Sequence, residues 1–250
     1  MLKVRVIPIL NFNGFGLVKT KQFYNPRMVG NPVQAARVYN SRGVDELAFV
    51  DINATKQNRK INLKLVKDVI SECFMPVSIG GGIQSIEDIN DLLRIGADKV
   101  IIKSKALTSP NFIKESVEFF GSQCISIALD VIREGREFII LNDFGLKLNA
   151  LEFIENMQKI GIGEFVLNCV SSDGMMNGFD IGLINALESS IDVPVIAVGG
   201  AGLPVHFAEL FKRTKIEAVG AASIYHFTQY TPLDIKFELI KNGVPIRMTS

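Results

Sequence analysis

The chain has 250 residues, and nearly half of them are apolar, which is enough for one large buried core. Its 27 basic and 26 acidic residues nearly balance, so the composition argues against a nucleic-acid-binding or membrane-surface-binding protein. The three cysteines, Cys73, Cys124 and Cys169, are far apart and form no pair with metal-ligand spacing, and their odd number argues against a disulfide framework. We therefore expect them to be buried free thiols in a protein from a reducing compartment. The sequence after Met1 lacks a signal-peptide pattern, and no run of about 18 apolar residues occurs, so we expect a cytoplasmic protein.

Short apolar runs alternate with longer amphipathic stretches along the chain. The predicted strands are Val4–Leu10, Glu46–Ile52, Val77–Ile79, Lys99–Ile102, Cys124–Asp130, Glu164–Cys169, Val195–Val198 and Ala218–Ala221. The predicted helices are Val33–Arg42, Leu63–Cys73, Ile86–Ile95, Asn111–Phe120, Ala150–Ile160, Asp180–Ser189 and Val205–Lys212. This alternation predicts an α/β fold with a parallel sheet covered by helices, and eight strands fit a single (βα)8 TIM barrel over residues 1–250.

The sequence also repeats itself at half its length. Met75–Gly82 echoes Val193–Gly200, and Pro76 and Pro194 are 118 residues apart. Because neither half closes a barrel alone, we expect two homologous half-barrels, residues 1 to about 120 and about 121 to 250, within one domain.

Glycine runs follow the third and seventh predicted strands, and a small hydroxyl residue follows the strand after each. Glycines at such places let backbone N–H groups approach an anion, which predicts a phosphate-binding barrel with one phosphate site per half; the alternative is that the glycines only form tight turns. The candidate phosphate and substrate residues in these loops are Gly81, Gly82, Lys103, Ser104, Gly200, Gly202, Ala222 and Ser223.

Polar residues at other strand ends are candidates for acid–base chemistry. Asp130 ends the fifth strand and Asn11 ends the first, where side chains of a barrel point into the mouth. Asp173, followed by Gly174, also follows a strand and could line the mouth. Lys19 lies in a long loop, residues 13–31, that we expect to lack secondary structure; it could neutralise a phosphate or clamp a lid, or simply be solvated.

Four charges stand at the opposite ends of the strands: Arg5, Glu46, Lys99 and Glu164. In a closed barrel they would converge on the floor and have to pair, because isolated buried charges are costly. They would either seal the floor or gate an axial passage.

His206 and His226 have no partner spaced for a metal or a catalytic triad, so we expect both to be structural and predict no metal and no cofactor.

At these residues the chain resembles the cyclase subunit of imidazole glycerol phosphate synthase over nearly its whole length. The shared segments include Val6–Pro8, Asp45–Leu47, Gly80–Ile83, Gly96–Val100, Phe120–Gln123, Ser172–Gly174, Gly199–Gly202 and Ala221–Ser223. The resemblance implies a glutaminase docked at the barrel floor, contacting Asp98 and Gln123, and ammonia passing a gate of Arg5, Glu46, Lys99 and Glu164 to a bis-phosphate substrate at the mouth. It also implies lyase activity in histidine biosynthesis.

The mouth departs from this family pattern. The family places aspartates at the ends of strands one and five, but here Asn11 takes the first position, and an amide does not exchange protons as a carboxylate does. Lys103 replaces an asparagine, and Asn168 replaces a threonine. The stretches Leu17–Phe23 and Val29–Pro32 resemble paralogues from surface-polysaccharide gene clusters, in which the barrel and its glutaminase supply ammonia to a third protein that makes acetamidino sugars.

Three hypotheses remain open from the sequence. The first is an ammonia-conducting subunit of the polysaccharide type, with reduced cyclase activity of its own and a possible third amidotransferase partner. The second is a genuine cyclase subunit of histidine biosynthesis that tolerates Asn11. The third is a non-catalytic activator of a glutaminase.

Overall fold

The computed structural model describes residues 3–248. Within them the strands are β1 (Arg5–Phe12), β2 (Leu17–Lys21), β3 (Tyr24–Gly30), β4 (Leu47–Asp51), β5 (Val77–Gly80), β6 (Lys99–Ile102), β7 (Ile125–Glu134), β8 (Glu137–Ile140), β9 (Leu148–Asn149), β10 (Glu164–Cys169), β11 (Val195–Val198) and β12 (Ala218–Ala221). The helices are α1 (Pro32–Ser41), α2 (Leu63–Ile70), α3 (Ile86–Arg94), α4 (Ser104–Thr108), α5 (Pro110–Phe120), α6 (Ala150–Ile160), α7 (Ile181–Glu188), α8 (Pro204–Arg213), α9 (Ser223–Phe227) and α10 (Pro232–Lys241).

Eight of these strands form a closed parallel barrel. Their order around the barrel is β1, β4, β5, β6, β7, β10, β11 and β12, and β12 pairs again with β1. Side chains on both faces of each strand are buried, because one face points to the barrel interior and the other to the helix layer. The predicted (βα)8 barrel is therefore confirmed.

Several helices begin at a residue whose side chain caps them, whereas α4, α5, α8 and α9 have no such cap. The Asn31 side chain accepts hydrogen bonds from the first-turn backbone of α1, and Ser85 with Asp88 forms a capping box on α3. Each capped helix then packs its apolar face on the strands. The largest fully buried side chains include Phe49 and Phe165, which lie in the layer between barrel and helices.

The prediction that residues 13–31 lack secondary structure is wrong. They form the antiparallel hairpin of β2 and β3, which extends the barrel through the pairing of Phe12 with Leu17. Gln22 and Phe23, both at positive φ, form its turn. The sequence offered no glycine there, so the usual hairpin signal was missing. The strands β8 and β9 and the helix α10 were also not predicted.

The three cysteines are free thiols, but only Cys169 is buried; Cys73 and Cys124 are partly exposed, so the expectation of three buried thiols is wrong for these two. Both come shortly before barrel strands, β5 and β7, and pack against the edge of the core. Across residues 3–248, every helix is too short or too polar to span a bilayer.

Candidate functional site

A cavity of about 370 Å³ runs along the barrel axis from the carboxyl ends of the strands. Its outer wall contains residues of the hairpin, of barrel strands and of the segments that follow them, including Asn11, Lys103, Asp130 and Ser223. Its inner end is lined by Glu46 and Ser78, at the opposite side of the barrel. The cavity therefore connects the mouth with the ring of charges at the floor.

At the mouth, both carboxylate oxygens of Asp130 are occupied. Lys103 Nζ donates to Oδ2 at 2.6 Å, and the Asn168 amide nitrogen donates to Oδ1 at 3.0 Å. Burial lowers the pKa of Lys103, but the attraction of Asp130 and Asp143 outweighs it and raises the pKa above its usual value. Lys103 is therefore a charged ammonium held against the carboxylate.

Two other mouth carboxylates are paired as well. Asp51 accepts two hydrogen bonds from the Arg59 guanidinium, at 2.6 and 2.9 Å. Asp173 accepts two from Lys19 Nζ, at 2.7 and 2.9 Å, and both side chains are less than 10% exposed. Asn11 lines the cavity beside them and contributes an amide, not a carboxylate.

The Lys19 pair fixes the hairpin over the mouth. The backbone N–H of Gln22 donates to the carbonyl of Asp173, and the Gln22 side chain donates to the carbonyl of Ser171. A Cβ on Gly174, at φ +72, would overlap the carbonyl oxygen of Thr20. Lys19 thus lies in the buried contact between the hairpin and the loop after β10, where it neutralises Asp173.

The glycine loops are tightly packed against neighbouring backbone. A Cβ on Gly81 would overlap the carbonyl oxygen of Asp51, and one on Gly200 would overlap that of Gly178. Both glycines have φ near +110, in the region that side chains rarely adopt. Packing alone therefore requires glycine at these two positions.

A buried hydroxyl in the second glycine region lacks a partner. Ser223, which follows β12 and Ala222, has an inaccessible Oγ without a hydrogen-bond partner among the described residues. Its counterpart Ser104 follows β6, next to Lys103, and both serines line the cavity. A buried hydroxyl without a protein partner is suited to a ligand oxygen.

At the floor, Arg5, Glu46, Lys99 and Glu164 form a closed ring of ion pairs. Arg5 pairs with Glu46 at 2.8 Å and with Glu164 at 3.0 Å, and Lys99 pairs with the same two glutamates at 3.2 and 2.9 Å. Burial raises the pKa of Glu164, but Arg5 and Lys99 outweigh it and hold that pKa below its usual value.

Two serines complete this ring. Ser78 donates its hydroxyl to Glu46 at 2.7 Å, and Ser126 donates to Glu164 at 2.9 Å. Neither serine was predicted as part of the ring, although each is a polar residue flanked by apolar ones near the start of its strand.

Between ring and mouth the barrel interior is apolar. This layer consists of Ile7, Ile9, Ala48, Val50, Ile101, Ala128, Val166, Ile196, Val198 and Ala218. A small neutral molecule would cross it at far lower cost than an ion, because charge in an apolar layer loses its hydration.

The outer floor carries exposed aromatic residues beside Asp98 and Gln123. Phe74 precedes β5, Asp98 precedes β6, and Phe119 and Gln123 precede β7, so the four lie along an arc of three neighbouring strands. Phe74 is 94% exposed and Phe119 69%. Asp98 is exposed, and its carboxylate also accepts a hydrogen bond from the backbone N–H of Val77.

The two histidines have ordinary surroundings. His206 Nδ1 accepts hydrogen bonds from the N–H groups of Gly202 and Leu203 at the start of α8. Burial lowers the pKa of His226, and the charge of Lys19 lowers it further. Among residues 3–248, no three His, Cys, Asp or Glu side chains are close enough to hold a metal ion.

The comparison with known proteins agrees with this geometry. Residues 5–231 match the model of the family described as histidine biosynthesis protein. The chain belongs to this family. Among curated relatives, the imidazole glycerol phosphate synthase subunit HisF of Dehalococcoides mccartyi is 41% identical, and those of Thermococcus onnurineus and Pyrococcus furiosus are each 39% identical. Each alignment spans 251 residues and covers 99% of this chain and 99–100% of the relative.

The chain is thus a member of the histidine biosynthesis protein family, homologous to cyclase subunits of imidazole glycerol phosphate synthase. Sequence reasoning named most of the mouth residues of this HisF-like barrel. It did not identify Arg59, or the pairings of Lys103 with Asp130 and of Lys19 with Asp173, because such pairings join distant parts of the chain.

Proposed function

We propose that this chain is the ammonia-conducting barrel subunit of a glutamine amidotransferase. It accepts ammonia from a glutaminase at its floor and delivers it to an anion-binding mouth whose cyclase chemistry is reduced. The observation that carries the proposal is the axial cavity, with its apolar middle between the charged ring and the polar mouth.

The apolar middle supports ammonia as the cargo. In water at neutral pH ammonia is mostly protonated, since amine pKa values lie well above 7. Ammonium would lose its hydration in the layer around Ala48, Ala128 and Val166, whereas neutral ammonia would lose far less. Ammonia generated on a docked partner and kept out of water would enter in the neutral form.

The floor supports a docked partner. Phe74 and Phe119 expose aromatic rings that their own chain leaves uncovered, and the exposed residues Asp98 and Gln123 precede strands of the same arc. Apolar cores with polar neighbours are typical of protein interfaces. A partner on this arc would lie next to the ring of Arg5, Glu46, Lys99 and Glu164, where the conducted molecule must enter.

The residues at the mouth favour a chemistry different from that of the cyclase subunits. Asn11 supplies no exchangeable carboxyl proton, and the Asp130 carboxylate is covered by Lys103 and Asn168. The proposed acceptor of the ammonia is an acetamido sugar of surface-polysaccharide biosynthesis, held by a third amidotransferase protein. The anion sites are assigned to Gly81, Gly82 and Ser104 in one half and to Gly200, Gly202, Ala222 and Ser223 in the other.

A second candidate is a genuine cyclase subunit in histidine biosynthesis. Asp130, which lies within β7 because that strand continues to Glu134 and does not end at Asp130 as predicted, and the names of the relatives favour it. A barrel that only activates a glutaminase is the third, and the continuous cavity argues against it. The first two candidates differ in whether the wild-type mouth turns over the bis-phosphate substrate.

Binding of a glutaminase subunit tests the proposed floor interface. We expect the glutaminase of an imidazole glycerol phosphate synthase, or the one encoded beside this chain, to bind and to hydrolyse glutamine faster when bound. Phe74→Glu and Asp98→Arg should each weaken binding by about tenfold or more, as expected for a central interface residue worth over 1.4 kcal/mol.

Phe144→Glu provides the matched control, because Phe144 is an exposed aromatic residue of the loop after β8, at the mouth end. Its binding should equal that of the wild type. Absence of glutaminase binding, or an equal loss from Phe144→Glu, would contradict the floor interface.

A further inference from the structure

The ion pair of Lys103 and Asp130 rests on one contact, whereas in the pairs Arg59–Asp51 and Lys19–Asp173 the cation donates to both carboxylate oxygens, although Arg59 is 31% exposed. Asp51 is held by two guanidinium contacts and is fully buried, and the Lys19–Asp173 pair is buried on both sides. The Lys103 side chain is 28% exposed, and it makes one contact with Asp130.

Lys103 also lies where a ligand anion would arrive. It directly follows β6 and precedes Ser104, and its flexible stem faces the cavity that Ser223 lines from the other side. An ammonium ion at the edge of such a cavity is free to exchange one anionic partner for another, because both contacts are of the same kind.

Asn168 explains why the carboxylate would remain oriented after such an exchange. Asp130 accepts only, so the Asn168 nitrogen must face it and the Asn168 oxygen must face away. That oxygen, Oδ1, is buried and has no partner among the described residues. It lies close to Gly199, so the amide nitrogen stays directed at Asp130.

We propose that Lys103 covers Asp130 in the empty mouth and moves to the anion of an incoming phosphorylated ligand, which exposes the Asp130 carboxylate as a proton acceptor. The ligand class is a phosphate ester. The exchange makes the base available only when ligand is present. It rests on the anion-binding mouth of the proposed function.

Inorganic phosphate is the probe, and its affinity is measured by calorimetry on the full chain. Lys103→Met should weaken phosphate binding about tenfold, as expected for one charge-assisted hydrogen bond. Asp130→Asn should strengthen binding several-fold, because Lys103 then has no competing carboxylate. Thermal melts establish that both variants are folded.

Asp143→Asn is the matched control for Asp130→Asn. Asp143 is another carboxylate of the same cavity, held by Lys56 at 3.0 Å. Its removal should change phosphate affinity less than Asp130→Asn does, since it attracts Lys103 without the hydrogen bond that Asp130 accepts. In wild-type protein with ¹³C-labelled aspartate, phosphate should also move the carboxyl resonance of Asp130.

The outcomes separate the exchange from the proposed function. Phosphate that binds the wild type without moving the Asp130 resonance, and equally well after Asp130→Asn, would overturn the exchange and leave the anion-binding mouth intact. Failure of phosphate to bind any variant would overturn both.

Discussion

Replacing Lys99 by methionine should destabilise the barrel in a pH-dependent way. The change keeps the aliphatic stem of the side chain and removes the charge, so Glu46 and Glu164 are left to share Arg5. Breaking a buried ion pair by removing one partner costs about 3–5 kcal/mol. Because the Lys99 side chain is 20% exposed, we expect a loss of about 2–3 kcal/mol in unfolding free energy at pH 7.

The pH dependence follows from Glu164. Its pKa is lowered in the folded wild type, so its stabilising contribution is present above the ordinary value of 4.5 and is lost as pH falls through the folded-state pKa. In Lys99→Met this pKa rises, and protonation then relieves the uncompensated charge. The stability difference between variant and wild type should therefore shrink as pH falls from 7 to about 4.

Urea denaturation followed by circular dichroism measures this difference, since the chain has no tryptophan for fluorescence. Lys159→Met removes a lysine whose ion pair with Glu155 is exposed, and it should leave the free energy of unfolding unchanged. A loss that does not vary with pH would mean that only packing was disturbed. Equal stability of Lys99→Met and wild type would refute the energetic role of the ring.

Three further variants or treatments test the mouth and the core. Gly200→Ala should lower the unfolding free energy by at least about 2 kcal/mol in urea denaturation, because position 200 has a φ of +108 and the new Cβ would overlap the Gly178 carbonyl. A variant as stable as the wild type would contradict this packing argument. Lys19→Met removes the cation that pairs with Asp173, a carboxyl whose pKa burial already raises, so limited trypsin digestion should cut the hairpin faster. Unchanged protection of the hairpin would show that the Lys19–Asp173 pair does not hold the hairpin in place. Burial raises the pKa of the Cys169 thiol, so Cys169 should react with iodoacetamide at pH 8 only after unfolding. Peptide mapping separates it from the partly exposed Cys73 and Cys124, and rapid labelling of Cys169 in the native protein would contradict its burial.

The barrel strands were predictable because each is a short apolar run buried on both faces. Glu164–Cys169, Val195–Val198 and Ala218–Ala221 agree with their predicted bounds at both ends. The convergence of the floor charges was also predictable, since strand starts of a closed barrel meet at one end. The hairpin was not, because Lys19 and Thr20 look like solvated loop residues until the loop after β10 covers them.

The candidate site was predictable as a set of positions but not as a set of contacts. Strand ends placed Asn11, Lys103 and Asp130 at one mouth. No local pattern reveals that Lys103 reaches Asp130, 27 residues away, or that Lys19 reaches Asp173, 154 residues away. These pairings depend on the closed barrel and decide whether a carboxylate is free or covered.

Turnover of the bis-phosphate substrate of the cyclase subunits with saturating ammonium salt tests the central claim most directly, because it requires neither a glutaminase nor knowledge of the natural acceptor. We expect no turnover by the wild type and measurable turnover after Asn11→Asp, which restores a carboxylate at the end of β1. Wild-type turnover comparable to that of an ordinary cyclase subunit would contradict the account and identify the chain as a cyclase that tolerates Asn11.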